Sequence, residues 1–177
     1  DGEVDIVYSA AQDSDFLLYS GMGDIMYDLR GDGTFHRINF EADVLGKAIG
    51  QFNFRDGTAP HFRLWSAACG CDYVDNPPGW GAIKLHKLVY DNLSLSEAEL
   101  IRLIASKATG ATSYAVDLLA AVRSFSHQTV FERSSDGVVK QVPLTPLPEG
   151  VDLSSCVELS ADQCARVYSG ELDPITL

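Results

Sequence analysis

The sequence predicts an α/β fold, and three observations along the chain lead to this prediction. Short β-branched and aromatic runs, separated by glycine-containing turns, occupy residues 1–60 and are typical of strands. Amphipathic helical patterns follow over residues 61–126. Residues 127–177 combine two extended segments, a proline-rich connection and a short helix. We therefore divide the chain into these three regions.

The first region is predicted to open with a strand at residues 4–9, where β-branched and aromatic residues predominate. This strand leads into a polar turn at residues 12–15. Farther along, two apolar runs flank Gly31-Asp32-Gly33, which predicts a β-hairpin. From about Glu41 the pattern turns helical, so the first helix is expected near that residue.

The second region is predicted to form a helical subdomain. Its first two helices are expected at residues 62–71 and 82–90, with a proline- and glycine-rich loop between them. Ser96 and Glu99 fit a capping box, so a third helix is expected to begin after Ser96. A fourth helix is predicted over residues 113–125, where apolar side chains recur at helical spacing.

The third region is predicted to pair two extended segments around the turn at residues 134–137. Three prolines between residues 143 and 148 then indicate an extended connection. Ser160 and Gln163 fit a second capping box, which predicts a short helix that ends near Gly170.

Composition narrows the classes of protein to which the chain can belong. Its 177 residues are 46% hydrophobic, which is enough for a packed core, and no run of about 18 apolar residues occurs. With 13 Lys and Arg against 25 Asp and Glu, the net charge is −12, which argues against a nonspecific binder of polyanions. Four cysteines are too few for a dense disulfide framework, so we expect a reducing intracellular compartment.

The first candidate for chemistry is Asp13-Ser14-Asp15, at the end of the first predicted strand. Two carboxylates two residues apart can converge on Mg²⁺, which prefers oxygen ligands. An Asp-Ser-Asp turn can equally cap a helix or close a loop. These residues alone leave both readings open.

Two further candidates lie in and before the loop between the first two helices of the second region. Asp72 follows an apolar helix within Gly70-Cys71-Asp72-Tyr73. Gly79 and Gly81 then precede a helix with Lys84 on its first turn, which is an arrangement that suits a phosphate. An ordinary helical hairpin explains the same residues. Trp80 can stack on a nucleotide or pack between the helices. Candidate phosphate contacts elsewhere are Lys87, Arg102, Lys107 and Arg123.

Taken together, these motifs resemble those of the flap endonuclease/XPG family of structure-specific 5′ nucleases. Residues 12–18 resemble the family's Glu-Asp-Ser-Asp-Leu-Leu motif, with Gln12 in place of Glu. Residues 69–73 resemble its Ser-Gly-Cys-Asp-Tyr motif, with Cys69 in place of Ser. Residues 79–84 resemble its Gly-Ile-Gly loop, and the order and spacing of the three motifs agree. The segments after residue 126 are similar to the exonuclease 1 branch of the family.

The resemblance implies a fold, a reaction and a set of site residues. Residues 1–60 would be the internal segment of a PIN-like nuclease domain, residues 61–126 a helix–turn–helix DNA-binding subdomain, and residues 127–177 a segment that wraps back on the core. The reaction would be phosphodiester hydrolysis with two Mg²⁺ ions, with Asp13, Asp15 and Asp72 as metal ligands and catalytic residues. Residues implied to hold DNA are Gly79, Gly81, Lys84 and Lys87.

The resemblance also implies partners and a location. A K⁺ ion would be held by backbone carbonyls of the loop before Lys84. The partners would be DNA with 5′ ends, flaps or nicks, together with repair or replication proteins, and the location would be the nucleus. No membrane partner is expected.

Part of the family's pattern is absent from this sequence. The N-terminal nuclease segment and its aspartates would lie upstream of Asp1, so we expect the chain alone to be inactive and the intact protein to be the nuclease. Two alternatives are a flap endonuclease of lagging-strand processing and a noncatalytic DNA-junction or protein-interaction module. Residues 61–110, which would grip DNA, hold five basic and five acidic side chains, so the negative charge lies elsewhere.

Overall fold

The computed structural model describes residues 8–11, 14–19, 24–147 and 159–172. Its contacts divide the chain into two units, Asp1–Phe125 and Ser126–Leu177, and each is described by itself. The chain combines helices with short strands, which is compatible with a general α/β fold. The division into three regions with boundaries after residues 60 and 126 stays a prediction.

A three-stranded sheet begins the first unit. Its strands are β1 (Tyr8–Ala11), β2 (Asp24–Tyr27) and β3 (His36–Asn39). β1 and β2 are parallel, whereas β2 and β3 are antiparallel and pair Ile25 with Ile38. The hairpin predicted around Gly31–Gly33 is therefore confirmed, while residues 4–7 of the predicted first strand lie outside the described residues. A 3₁₀ helix, Ser14–Leu18, follows β1.

The prediction of a helix from about Glu41 is wrong, because only a single helical turn forms there. A π-helical turn, Phe40–Val44, is capped by the Asn39 side chain, and two short antiparallel strands follow it, β4 (Ala48–Ile49) and β5 (Phe52–Asn53). The backbone leaves the helical region at Leu45 and takes a positive φ of 74° at Gly46, which glycine alone adopts freely. The apolar residues after the turn therefore form a hairpin.

Four helices complete the part of the first unit that the structure describes. They are α1 (Ala59–Ala68), α2 (Ala82–Tyr90), α3 (Glu97–Ala105) and α4 (Ala111–His127), whose last two residues lie past the unit boundary. The prediction for α2 is confirmed, and so is the start of α3 after Ser96. α1 begins and ends three residues before the predicted limits, because Thr58 is its N-cap and Gly70 has a φ of +108°.

The core of the first unit lies between these helices. Its side chains come from one face of each helix, as the apolar spacing in the sequence requires. Those at most 1% exposed are Leu64, Ala67, Ala68, Leu85, Val89, Leu100, Ile104, Leu118, Ala121, Val122 and Phe125. Through this core α1 and α2 are held as a pair, and the pair positions the loop that joins them.

The described residues of the second unit form a hairpin and a helix. The hairpin pairs β6 (Thr129–Arg133) with β7 (Val139–Pro143), and the helix is α5 (Ala161–Tyr168). Ser160 caps α5 with Gln163 as predicted, and Cys164 of α5 is buried. Among the helices that the structure describes, none is long and apolar enough to cross a lipid bilayer.

Candidate functional site

Asp15 lies in the 3₁₀ helix that follows β1, and this helix is tied to α1 by a buried cation. The Arg63 guanidinium of α1 donates a hydrogen bond from Nε to the backbone oxygen of Leu18 at 2.6 Å. Arg63 is only 8% exposed, and its burial lowers the pKa of the guanidinium below the ordinary value. The turn that carries Asp15 is therefore anchored to the helix that leads towards Asp72. Asp13 lies outside the described residues.

A cleft of about 320 Å³ joins residues from the three predicted motifs. Asp15 of the first motif lines it together with Cys69 and Gly70 of the second. Ala82, the first residue of α2 after the glycine loop, also lines it. The remaining wall is mostly apolar and comes from Leu17, Leu18, Phe52, Phe62, Trp65 and Ser66. The fold therefore brings to one place three segments that are up to about 70 residues apart in the sequence.

Asp72 follows two cleft-lining residues, Cys69 and Gly70, in the sequence, but it does not line the cleft itself. It is exposed at the tip of a turn that an isolated β-bridge closes between Cys71 and Val74. The Cys71 amide donates to Val74 O at 3.0 Å, and the Val74 amide donates back to Cys71 O at 3.3 Å. The backbone therefore fixes the point from which the Asp72 carboxylate projects.

The donor chemistry of these carboxylates suits Mg²⁺, which is ordinarily held by one or two carboxylates together with water and phosphate oxygens. Within the described ranges, no three His, Cys, Asp or Glu side chains converge in a way that could hold a metal ion. Asp15 and Asp72 are thus suitable ligands by type. Cys69 is a poor one, because burial raises the pKa of its thiol to about 12 and keeps it protonated.

The loop before α2 is ordered by its own hydrogen bonds. The Trp80 amide donates to Pro77 O at 2.9 Å, and the Asn76 side-chain amide donates to Trp80 O at 3.3 Å. Gly79 takes a positive φ of 76° and Gly81 is the N-cap of α2. The indole of Trp65 reaches across from α1 and donates to Ala82 O at 3.0 Å.

Lys84 and Lys87 occupy different electrostatic surroundings on α2. The Lys84 ammonium donates to Gly79 O at 2.8 Å, so it lies back over the loop. Lys87 pairs with Asp91 at 2.6 Å, and both side chains of that pair are exposed. For K⁺ the loop offers carbonyl oxygens of the right kind, although those of Pro77, Gly79 and Trp80 each accept one hydrogen bond already.

His86 belongs to a cluster of aromatic side chains. Its ring stacks on Tyr90 with a centroid distance of 4.3 Å and an interplanar angle of 9°. Its Nε2 atom lies 3.1 Å from Asn53 O, and burial lowers the pKa of the imidazole. Phe52, Phe54 and Trp65 pack around the same ring. This histidine therefore has a packing role that attaches the β4–β5 hairpin to α2.

Sequence reasoning missed Arg63 as a residue of this site and did not place Lys107. Arg63 lies between Phe62 and Leu64 in the sequence, and it is buried. A charged residue at a core-facing position is the signal that could have identified it. Lys107 follows α3, and its ammonium lies 5.5 Å from the ring centroid of Trp80. The Lys84 ammonium lies 6.0 Å from the same centroid. No signal in the sequence pairs Lys107 with Trp80, because only the packing of α2 and α3 brings them together.

No protein-family model matches the chain. No curated protein matches it either.

Proposed function

We propose that this chain is part of a Mg²⁺-dependent 5′ nuclease of the flap endonuclease/XPG family, most similar to the exonuclease 1 branch, which hydrolyses phosphodiester bonds in DNA. The observation that carries the proposal is the cleft lined by Asp15, Cys69, Gly70 and Ala82. Three motifs that resemble those of one family meet there, although they are distant in the sequence. In this proposal residues 1–60 belong to a PIN-like nuclease domain and α1 and α2 form its helix–turn–helix element.

The carboxylates of Asp13, Asp15 and Asp72 would hold the metal, together with further ligands upstream of Asp1. When bound, Mg²⁺ lowers the pKa of coordinated water and neutralises the charge that develops on the phosphate. The residues of this chain would position these ligands. Arg63 anchors the turn that carries Asp15, and the Cys71–Val74 bridge fixes the turn that carries Asp72. A carboxylate on a fixed backbone loses less entropy when it binds a cation than one on a mobile segment.

The partner in this proposal is a DNA duplex that ends in a 5′ terminus, flap or nick. Gly79 and Gly81 let the loop approach the backbone, and Lys84 and Lys87 supply positive charge. Contacts of this type position the duplex without reading its sequence. The proposed location is the nucleus, where repair and replication proteins are further partners, and a loop-bound K⁺ would add a cation at the phosphate.

A second candidate is a noncatalytic module that binds DNA junctions or proteins. Its support is that Asp72 does not line the cleft and that the described part of the chain has no three-ligand metal group. A flap endonuclease of lagging-strand processing is the nearest alternative among enzymes. It shares every motif named here and differs in substrate preference.

The experiment is cleavage by the intact protein, obtained by extending the coding sequence upstream of Asp1. Asp15→Asn and Asp72→Asn are compared with the exposed control Asp117→Asn on 5′-labelled flap and nicked duplexes in Mg²⁺. We expect the first two variants to lose about 100-fold or more in cleavage, since a metal ligand is lost, and to keep DNA binding in EDTA. Unchanged cleavage in both variants would refute the metal assignment. An intact protein that binds flaps and cleaves none would favour the noncatalytic module.

A further inference from the structure

A groove of about 500 Å³ lies between α3 and α4 in the first unit. Its walls are mostly apolar, with Ile101 and Ala105 on the side of α3 and Val116 and Leu119 on the side of α4. Val116 is 63% exposed, which is the highest value among the large apolar side chains that the structure describes. An open apolar groove between two helices is the type of surface on which an amphipathic helix packs.

The dimensions of the groove fit a third helix. Its lining extends over residues 98–106 on the side of α3 and over residues 111–119 on the side of α4. Each stretch rises by about 12 Å along its helix, at about 1.5 Å per residue. Apolar side chains at positions i, i+4 and i+7 of a partner helix span about 10 Å, so three of them fit along the groove. Four of the ten lining residues are alanines, and such short side chains allow helix axes to approach closely.

Two arginines flank the groove. Arg102 of α3 is exposed and lines it. Arg123 follows Leu119 by four residues, so it lies one turn farther along the same side of α4. Among the described residues, neither guanidinium forms an ion pair with a carboxylate. Both charges are therefore available to a partner.

The two acidic residues of α3 have other contacts. The Glu99 carboxylate accepts hydrogen bonds from the Ser96 amide and hydroxyl, and these lower its pKa more than the charge of Arg102 does. The charge of Glu97 acts on the buried Arg63 of α1. Since the chain has a net charge of −12, a groove flanked by arginines selects an acidic partner against this background. A second copy of the chain is disfavoured there, because like net charges repel.

We propose that the groove between α3 and α4 binds one amphipathic helix of a partner protein, with three apolar side chains inserted into the groove and acidic side chains beside them that meet Arg102 and Arg123. This interaction involves no DNA, so it goes beyond the proposed nuclease function and is independent of it. The apolar contacts supply most of the affinity, because exposed ion pairs contribute little energy. The arginines fix the orientation of the bound helix and select its charge.

The test measures the binding of a fluorescein-labelled peptide of about four helical turns to the 177-residue chain by fluorescence anisotropy. The peptide carries leucines at positions i, i+4 and i+7, glutamates beside this stripe and alanines elsewhere. One control peptide has the same composition in scrambled order, and another has lysines in place of the glutamates. At about 0.15 M salt we expect the first peptide to bind with a Kd below about 100 μM and the scrambled peptide to bind about tenfold more weakly or worse.

Variants of the chain identify the surface that binds. Val116→Asp places a carboxylate in the groove and should weaken binding about tenfold or more, whereas Val138→Asp changes an exposed valine of the second unit and should have no effect. Arg102→Glu should weaken binding of the glutamate peptide and strengthen binding of the lysine peptide. Its control is Arg55→Glu, which makes the same change of charge at another exposed position of the first unit. Circular dichroism and urea midpoints check that each variant is folded.

Three outcomes would overturn the proposal. The first is that the glutamate peptide does not bind, or binds no better than its scrambled control. The second is equal binding by Val116→Asp and Val138→Asp, because the contact would then lie outside the groove. The third is a dimer of the wild type in sedimentation experiments that Val116→Asp alone abolishes, which would assign the groove to a second copy of the chain. None of these measurements involves cleavage of DNA, so each leaves the proposed nuclease function to its own test.

Discussion

Close contacts constrain single residues in the first unit. Gly57, which lies just before α1, is an example. A methyl group at Gly57 would lie 2.8 Å from both Cζ and the hydroxyl oxygen of Tyr90. That ring cannot move away easily, because it stacks on His86 and packs edge-on against Phe54 at 5.6 Å. The absence of a side chain at Gly57 is therefore a requirement of packing.

Gly57→Ala is expected to destabilise the chain by about 1–3 kcal/mol, the usual cost of forcing extra volume into a packed site. Urea unfolding followed by circular dichroism measures the change. Gly31→Ala is the matched control, since an added methyl group meets no atom within 4 Å there. An equal effect of the two substitutions would exclude the Tyr90 ring as the source of the cost.

At the level of whole elements, local signals predicted most helix starts and both longer hairpins. Ser96 and Ser160 each accept a hydrogen bond from the amide three residues on, as their capping boxes predict. The prediction from about Glu41 failed because it followed apolar spacing over a stretch in which Gly46 and Gly50 take positive φ. Phe52 and Phe54 there pack onto α1 and α2, which is a tertiary contact that spacing alone does not reveal.

Ser96→Ala should destabilise the chain by about 1 kcal/mol, because α3 loses the side chain that accepts from the Glu99 amide. The Ser96 hydroxyl also donates to the Glu99 carboxylate at 2.6 Å, and this bond holds the pKa of that carboxyl below its usual value. The measurement is the urea midpoint at neutral pH, with the exposed Ser94→Ala as the control from the preceding turn.

The difference in urea midpoint between Ser96→Ala and Ser94→Ala should shrink as the pH falls through the pKa of Glu99. Its folded-state pKa is depressed, so the stabilisation is present above the unfolded-state pKa and is lost on acidification. A loss on Ser96→Ala no larger than on Ser94→Ala at neutral pH would contradict the capping role.

The 3₁₀ helix that carries Asp15 should depend on Arg63. Arg63→Met keeps a long apolar stem but leaves the Leu18 carbonyl without this donor, which should cost about 1–3 kcal/mol. We expect hydrogen exchange of the amides of residues 15–18 to speed up more than that of α2. Arg123→Met on the exposed face of α4 is the control and should leave exchange in this helix unchanged. Uniform acceleration across the unit would mean that Arg63 acts on global stability alone.

For the whole molecule, the pH dependence of stability depends on one thiol and two phenol groups that the described part of the first unit shields from water. Burial raises the pKa of Cys69, of Tyr90 and of Tyr114 to about 12. In the part of the chain that the structure describes, the hydroxyls of Tyr90 and Tyr114 are also buried without a hydrogen-bond partner. These groups are therefore most stable when protonated, and folding keeps them so.

Stability is accordingly expected to fall as the pH rises from about 9 to 12. Below this window the three groups are protonated in both states, whereas within it the unfolded chain releases protons that the folded chain retains. Urea midpoints at several pH values measure the fall. Tyr90→Phe and Tyr114→Phe should each make it shallower, and the exposed Tyr168→Phe should not. A fall that is equally steep in all three variants would exclude the buried tyrosines as its cause.

The candidate site could be predicted from the sequence only as separate motifs. The residues of each motif are neighbours in the chain, so spacing and residue type identified Asp15, Asp72 and Lys84 as candidates. The cleft that joins Asp15 to Cys69 and Ala82 depends on how the 3₁₀ helix packs on α1. Likewise, Arg63 and Lys107 belong to the site only through contacts with residues far away in the sequence, and no local pattern encodes such contacts.

The bond between the Trp65 indole and Ala82 O closes the base of the loop that joins α1 to α2. With its two ends already held together, this loop can vary in length at little thermodynamic cost, since each doubling adds only about 0.6 kcal/mol of closure entropy. Insertions or replacements at the exposed Pro78 should leave the helix pair folded, whereas Pro77 beside it is buried. Sequence changes at this exposed position can therefore accumulate in evolution without loss of the fold.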